Sequence, residues 1–191
     1  MSKKINNILK FLKDIELLKS TLRHSWVSAG RRESVAEHSW RVAVLALILQ
    51  DEFKKINIQK VIEMLLIHDF GEVYDGDTPA FLKKNKQAHY NQEKLAVQKL
   101  VKPLGVKIQK KIIALWVEYE DGQTLEARLA KALDKIEVLI QHNEADLKTW
   151  TAQEYQFNLK YGQEFMNFHQ FILEFRKIID LHTKKKISQS K

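Results

Sequence analysis

The spacing of apolar and polar residues along the chain predicts a succession of amphipathic helices. Apolar residues recur three or four positions apart over long segments, which places them on one face of a helix. The predicted helices cover residues 4–22, 34–55, 58 to the vicinity of 71, 84–101, 106–120, 125–142 and 164–182. The pattern breaks at residues 23–32 and is ambiguous at 143–161.

Local signals at segment ends support several of these boundaries. Ser34 followed by Glu37 is a capping box, which predicts a helix start at that point. Gly122 and Thr124 predict the end of one helix and the start of the next. The segment 74–79 contains Gly76 and ends in Pro79, and we interpret it as a loop.

Composition favours an all-α protein built as one domain. The 191 residues are 45% hydrophobic, enough for one sizeable core, and include only 6 Gly and 2 Pro for tight turns. No repeat or compositional shift marks a boundary. We therefore expect a single domain over residues 1–191, with a C-terminal helix at about 161–182 and a basic, solvated tail at 183–191.

Charge and residue usage restrict the partners and the compartment to be expected for the protein. The net charge of +8 would attract anions such as nucleotides or nucleic acid. No apolar run is long enough to cross a bilayer, the N-terminus lacks the features of a signal peptide, and there is no cysteine. We expect a soluble, cytoplasmic protein without thiol chemistry and without a membrane partner.

Metal-binding side chains occur at inward-facing positions of three predicted helices. His68 and Asp69 are adjacent at the end of an apolar helical run, where a terminal turn lets both reach one ion. His38 faces inward between Val35 and Val42, and Asp134 lies among small and apolar residues of a later helix. A single buried histidine is more often an ordinary core residue, but this combination favours a metal site.

The predicted ligand set restricts which metal ions the site would bind. Two imidazoles and two carboxylates suit one divalent cation such as Mn²⁺, Co²⁺, Fe²⁺, Mg²⁺ or Zn²⁺ and differ from a closed thiolate zinc site. Four protein ligands leave room for water and substrate on an ion that prefers six. The identity of the metal stays open.

The order His, His-Asp, Asp resembles the signature of the HD-domain phosphohydrolases. Residues 32–39 (RESVAEHS) and 66–72 (LIHDFGE) resemble two motifs of the 5′-deoxynucleotidase branch of that family. Residues 115–120 and 133–135 are similar to its later segments, so the resemblance spans about residues 22–141. It implies an HD-type helical bundle that binds one divalent metal ion through His38, His68, Asp69 and Asp134.

The same resemblance implies roles for four further residues. Glu72 and Asp77 correspond to catalytic carboxylates, one acting on water and the other on the leaving oxygen. Arg23 and Trp26 resemble basic and aromatic substrate contacts, although His24 and Ser25 between them depart from the family pattern. The resemblance also implies a nucleotide substrate and a homodimer. Which carboxylate is the base stays open.

Three functions compete at this point. The first is hydrolysis of (deoxy)nucleoside 5′-monophosphates to nucleoside and phosphate. The second is an HD hydrolase of another phosphate ester, such as a nucleoside triphosphate or a cyclic dinucleotide. The third is a non-catalytic basic module that binds nucleic acid. We favour the first and do not expect nucleic acid as a partner, because mere binding would not require Glu72 and Asp77.

Overall fold

Helices dominate the computed structural model, which describes residues 1–79 and 85–189, and the all-α prediction is confirmed. The helices are α1 (Ser2–Ile15), α2 (Val35–Ile48), α3 (Ile58–Ile67), α4 (Lys86–Val101), α5 (Val106–Asp121), α6 (Leu125–Glu144), α7 (Glu154–Phe157) and α8 (Gln170–Ser188). Within the described ranges, no helix has the length and apolar content needed to cross a membrane.

A short hairpin fills the break predicted after α1. Strands β1 (Leu22–Trp26) and β2 (Arg32–Ser34) pair antiparallel and form the one sheet found in the described part of the chain. Gly30 takes a φ of +82° in the connection, a backbone conformation that glycine adopts without a steric penalty. The sequence showed the break in helical phase, but three- and five-residue strands are too short to give a recognisable alternation.

The predicted helix starts are confirmed where capping residues mark them. Ser34 Oγ accepts a hydrogen bond from the Glu37 backbone N–H, and Glu37 Oε2 accepts one from the Ser34 N–H at 2.8 Å. Thr124 Oγ1 accepts from the Ala127 N–H, and Gly122 ends α5 in the left-handed conformation. These bonds fix the start of α2 and α6, the two helices that carry His38 and Asp134.

The C-terminal helix differs from its predicted bounds. It begins at Gln170, later than the predicted start, and it continues to Ser188. Lys184, Lys185 and Lys186 therefore lie in the last turns of α8 and not in a separate tail. Favourable charge at a helix C-terminus explains why lysines there do not end the helix. The predicted start of α4 at Lys84 lies outside the described residues, and Asn85 caps that helix.

Helix α6 is the central element of the molecule and contacts α2, α3, α5 and α8. Its Leu129, Leu133 and Ile136 are fully buried in the larger of two apolar clusters. The smaller cluster surrounds Trp116 and joins the C-terminal end of α1 to α4 and α5. A 3₁₀ segment, His68–Val73, follows α3 between the two clusters and carries the His-Asp pair to the edge of α6.

Candidate metal centre and substrate cavity

The four predicted metal ligands converge from three elements. His38 comes from the first turn of α2, His68 and Asp69 from the 3₁₀ segment after α3, and Asp134 from the middle of α6. His38 Nε2 lies 3.2 Å from Asp134 Oδ1 and 4.0 Å from Asp69 Oδ2. His68 Nε2 lies 3.2 Å from Asp69 Oδ2 and 4.0 Å from Asp134 Oδ1. Two imidazole nitrogens thus face two carboxylate oxygens.

His68 is held in the orientation that a metal ligand needs. Its Nδ1 lies 2.8 Å from the Leu65 carbonyl oxygen and donates to it, which leaves the lone pair on Nε2. Within residues 1–79 and 85–189, this buried Nε2 has no hydrogen-bond partner. The indole N–H of Trp116 donates to the His68 carbonyl oxygen at 3.0 Å and fixes the backbone. A buried nitrogen acceptor that faces two carboxylates fits a cation between them.

One carboxylate oxygen of Asp134 faces the candidate metal centre, and the other accepts hydrogen bonds from neighbouring side chains. Oδ2 accepts hydrogen bonds from the Tyr119 hydroxyl at 2.8 Å and from Lys135 Nζ at 2.7 Å. Oδ1 faces the two histidines. Burial raises the pKa of Asp134, but Lys135 and the histidines outweigh it and hold the pKa well below its usual value. The carboxylate is therefore charged, as a metal ligand must be.

Glu137 supports a candidate metal ligand and was not identified from the sequence. Its Oε2 lies 2.5 Å from His38 Nδ1, and its side chain is almost fully buried. Burial and Arg23 lower the pKa of His38, whereas Glu137 and Asp134 raise it, with a net increase to about 10. Glu137 keeps a proton on Nδ1 and turns Nε2 toward the centre, the arrangement of a carboxylate behind a metal-bound histidine. Its position one turn after Asp134 was the available signal.

A cavity of about 490 Å³ opens beside the four ligands. Arg23, Glu72 and Asp77, all predicted from the sequence, line its wall. Glu72 is buried on the turn that carries His68, and Asp77 lies in the loop that follows. Trp26, by contrast, is not among the described residues that line this cavity, and its role as a substrate contact stays a prediction.

Arg23 places a positive charge beside the candidate metal centre. One terminal nitrogen donates to Asp69 Oδ2 at 3.2 Å, and Nε lies 3.3 Å from Glu33 Oε2. Burial lowers the pKa of Arg23, but Asp69 and the other surrounding carboxylates raise it overall, so the guanidinium stays charged. Burial and Glu137 raise the pKa of Glu33 to about 7 despite the neighbouring Arg23.

Another part of the cavity wall comes from a segment that the sequence left ambiguous. Residues of α7 and the turns after it line the cavity, together with the later part of α6. The residues that contribute this wall include His142, Glu154, Phe157, Asn158, Tyr161 and Phe165. The short turns of this segment carry no long helical period, so periodicity alone could not place them.

Fold and site define an all-α protein with a mixed histidine–carboxylate centre at a cavity. A family model described as "HD domain" matches residues 15–174, and the chain belongs to this HD-domain family of metal-dependent phosphohydrolases. It is 37% identical over 145 residues to a Dictyostelium discoideum protein named 5′-deoxynucleotidase HDDC2, covering 72% of this chain and 76% of the relative. The human protein of that name is 31% identical over 140 residues, covering 72% and 68%.

A solved structure supports the assignment to this family. It is described as a predicted metal-dependent phosphohydrolase from Magnetospirillum magnetotacticum and is similar with a TM-score of 0.75 and 28% identity. The match covers 98% of this chain and 95% of that one. The family resemblance seen in the motifs is thereby confirmed over nearly the whole chain.

Proposed function

We propose that this protein hydrolyses 5′-deoxynucleoside monophosphates to deoxynucleosides and phosphate, using one divalent metal ion. The observation that carries the proposal is the convergence of His38, His68, Asp69 and Asp134 beside a cavity that also contains Arg23, Glu72 and Asp77. The cavity volume of about 490 Å³ lies within the range of small-molecule sites. The names of the curated relatives support this substrate class.

The metal would be held by the two Nε2 atoms and by one oxygen of each aspartate. A divalent ion in this position supplies charge stabilisation to the phosphoryl group and lowers the pKa of water toward neutrality. The donor set suits Mn²⁺, Co²⁺, Fe²⁺, Mg²⁺ or Zn²⁺. Glu137 and Leu65 orient the imidazoles through Nδ1, and Tyr119 and Lys135 orient Asp134.

Arg23 is the proposed phosphate ligand. A guanidinium can bind two phosphate oxygens at once, and its charge opposes the negative charge that develops during phosphoryl transfer. Asp69 and Glu33 hold its nitrogens at 3.2 and 3.3 Å, so the group is positioned before substrate enters. Little conformational entropy then needs to be lost on binding.

Glu72 and Asp77 divide the proton transfers between them. One carboxylate accepts the proton of the attacking water while the oxygen of that water bonds to phosphorus. The bond from phosphorus to the 5′ oxygen breaks, and the other carboxylic acid donates its proton to that oxygen. Glu72 is one turn beyond His68 and buried at the cavity wall, a position suited to the water. Asp77, in the loop, is suited to the leaving oxygen.

Phosphate release from a panel of nucleotides tests this proposal. The chelated protein is assayed with each divalent metal against deoxynucleoside monophosphates, ribonucleoside monophosphates and triphosphates. We expect release from the deoxynucleoside monophosphates. Glu72→Ala should abolish turnover but retain metal, measured by plasma mass spectrometry, whereas Asp69→Ala should lose both. Asp51→Ala, an exposed carboxylate elsewhere on the surface, is the control. Full activity of Glu72→Ala would refute the catalytic assignment.

Two further expectations belong to the proposal. A homodimer is supported by the row of apolar side chains that α2 exposes, including Trp40 at 64% and Ile48 at 70% exposed. Sedimentation velocity measures this directly. A cytoplasmic location is supported by the absence of cysteine from the sequence.

A further inference from the structure

A second polar cluster lines the cavity beside the later part of α6. Ser25 of β1 places its Oγ 3.1 Å from Nε2 of His142, near the C-terminal end of α6. His142 Nδ1 lies 3.3 Å from Glu154 Oε1 and 3.2 Å from the Asn158 amide. All four side chains are at least nine-tenths buried, yet all four line the cavity. None of them takes part in the proposed chemistry.

Glu154 and Asn158 both contact the imidazole of His142. Glu154 Oε2 accepts from the backbone N–H and the hydroxyl of Thr151, at 2.6 and 2.9 Å. His24 Nε2 lies 3.1 Å from Oε1, so the carboxylate is fixed between α7 and β1. The Asn158 side-chain amide donates to His142 Nδ1 at 3.2 Å, because an amide nitrogen only donates, and Glu154 Oε1 lies 3.3 Å from the same ring nitrogen.

The chain of hydrogen bonds ends at the hydroxyl of Ser25. Burial, together with His24 and Arg23, lowers the pKa of His142 to about 4 although Glu154 raises it, so the ring is neutral. Because Nδ1 accepts from Asn158, the ring carries its proton on Nε2 and donates to Ser25 Oγ at 3.1 Å. The O–H of Ser25 is left to donate a hydrogen bond to a ligand.

The position of the cluster along α6 identifies the part of a ligand that it would meet. His142 follows Asp134 by eight residues, which separates them by roughly 12 Å along the helix axis. Val138 lies between them and also lines the cavity. A nucleotide with its phosphate at the candidate metal centre and its sugar directed along α6 would bring its base to His142. Phe157, on the same wall, adds an aromatic surface.

We propose that Ser25, His142, Glu154 and Asn158 form a nucleobase subsite in which the Ser25 hydroxyl donates a hydrogen bond to an acceptor atom of the base. This inference rests on the proposed function for the location of the phosphate. The subsite makes the base, and not only the sugar and phosphate, contribute to binding.

Paired substrates with and without a base test the subsite. The measurement is kcat/KM for dAMP relative to kcat/KM for 2-deoxyribose 5-phosphate, in wild type, Ser25→Ala and His142→Gln. We expect the ratio to fall about tenfold in Ser25→Ala, mainly through the KM for dAMP, because one buried hydrogen bond to the ligand is lost. His182→Ala, an exposed histidine on α8, is the control and should keep the wild-type ratio.

Binding of deoxyadenosine alone separates this inference from the proposed function. Isothermal titration of the metal-loaded protein should give a Kd about tenfold weaker in Ser25→Ala than in wild type. An unchanged Kd and an unchanged substrate ratio in both variants would overturn the subsite, even in an active enzyme. Weakened deoxyadenosine binding in a protein that hydrolyses no phosphate ester would instead support the subsite and refute the proposed function.

Discussion

His38, a proposed metal ligand, depends for its orientation on Glu137, which is outside the proposed ligand set. Its imidazole is fully buried and bonded through Nδ1 to Glu137, which in turn lies 3.5 Å from Arg41 NH1. The carboxylate fixes both the ring orientation and the position of the proton. Metal affinity should therefore be sensitive to the charge at residue 137.

Replacing Glu137 by Gln tests this dependence. The amide keeps the size of the side chain but removes the negative charge behind His38, and we expect metal affinity to fall about 10- to 100-fold. Competition with a chromophoric chelator measures the change. Glu144→Gln is the matched control, since Glu144 is on the same helix and binds the same Arg41 but is half exposed. Equal affinity of Glu137→Gln and wild type would contradict the assigned role.

The site residues that the sequence could identify are polar residues at positions where the helical pattern expects an apolar one. His38 and Asp134 stand at apolar positions of helices, where a polar residue needs a partner, and the His68-Asp69 pair ends an apolar run. Glu137 follows the same logic, but one glutamate on a helix of mixed polarity gives a weak signal. Ser25 and Glu154 could not be found at all, because their elements are too short to show which face is buried.

At the scale of elements, the 3₁₀ segment after α3 is fitted tightly against α4. A Cβ added at Gly71 would lie 2.5 Å from Glu93 Cβ and 3.1 Å from Glu93 Cα, so a side chain there would have to move α4. The segment carries His68, Asp69 and Glu72, and its position against α4 therefore sets the geometry of the site.

Gly71→Ser should consequently destabilise the protein and disturb the metal centre. Overpacking of this kind costs about 1–3 kcal/mol in the free energy of unfolding, measured by urea denaturation. The same substitution at Gly105 is the comparison, because a Cβ there meets nothing within 4 Å and serine is a favoured N-cap for α5. A Gly71→Ser protein as stable as Gly105→Ser would show that the close approach is unimportant.

Helix starts with capping signals could be predicted closely, whereas α2, predicted to reach residue 55, ends at Ile48. The capping box at Ser34 and the Gly122–Thr124 pair specify α2 and α6 through backbone hydrogen bonds that are local in sequence. The hairpin and α7 depend on distant contacts instead, such as Gln141 Nε2 donating to the Trp26 carbonyl oxygen at 2.7 Å. No pattern within a short window encodes such a bond.

Over the whole molecule, the proposed metal centre connects α2, the segment after α3, and α6. An ion that binds only the folded protein stabilises it by about 2.7 kcal/mol at one hundred times its Kd. For a chain of this size we expect chelated protein to gain about 5–10 °C in Tm when metal is added at that concentration. Differential scanning calorimetry measures the shift.

Variants locate the source of this stabilisation. Asp69→Ala should show almost no metal-dependent shift, whereas Glu72→Ala should keep it, because only the first residue is a proposed ligand. A full shift in Asp69→Ala would place the ion elsewhere.

The family and the all-α class could be predicted from the motifs and the helical periodicity. The part of the cavity wall formed by residues after α6 could not be predicted, because it depends on contacts in the folded chain. The single-domain division stays a prediction.

The contact between Trp116 and the His68 carbonyl gives the protein an intrinsic optical reporter. This indole is fully buried and stacks on Tyr90 at 5.4 Å between ring centres, while Trp40 faces solvent. Iodide quenches exposed fluorophores and does not reach interior ones. The unquenched emission that remains therefore includes light from beside the His-Asp pair, together with that of the buried Trp150.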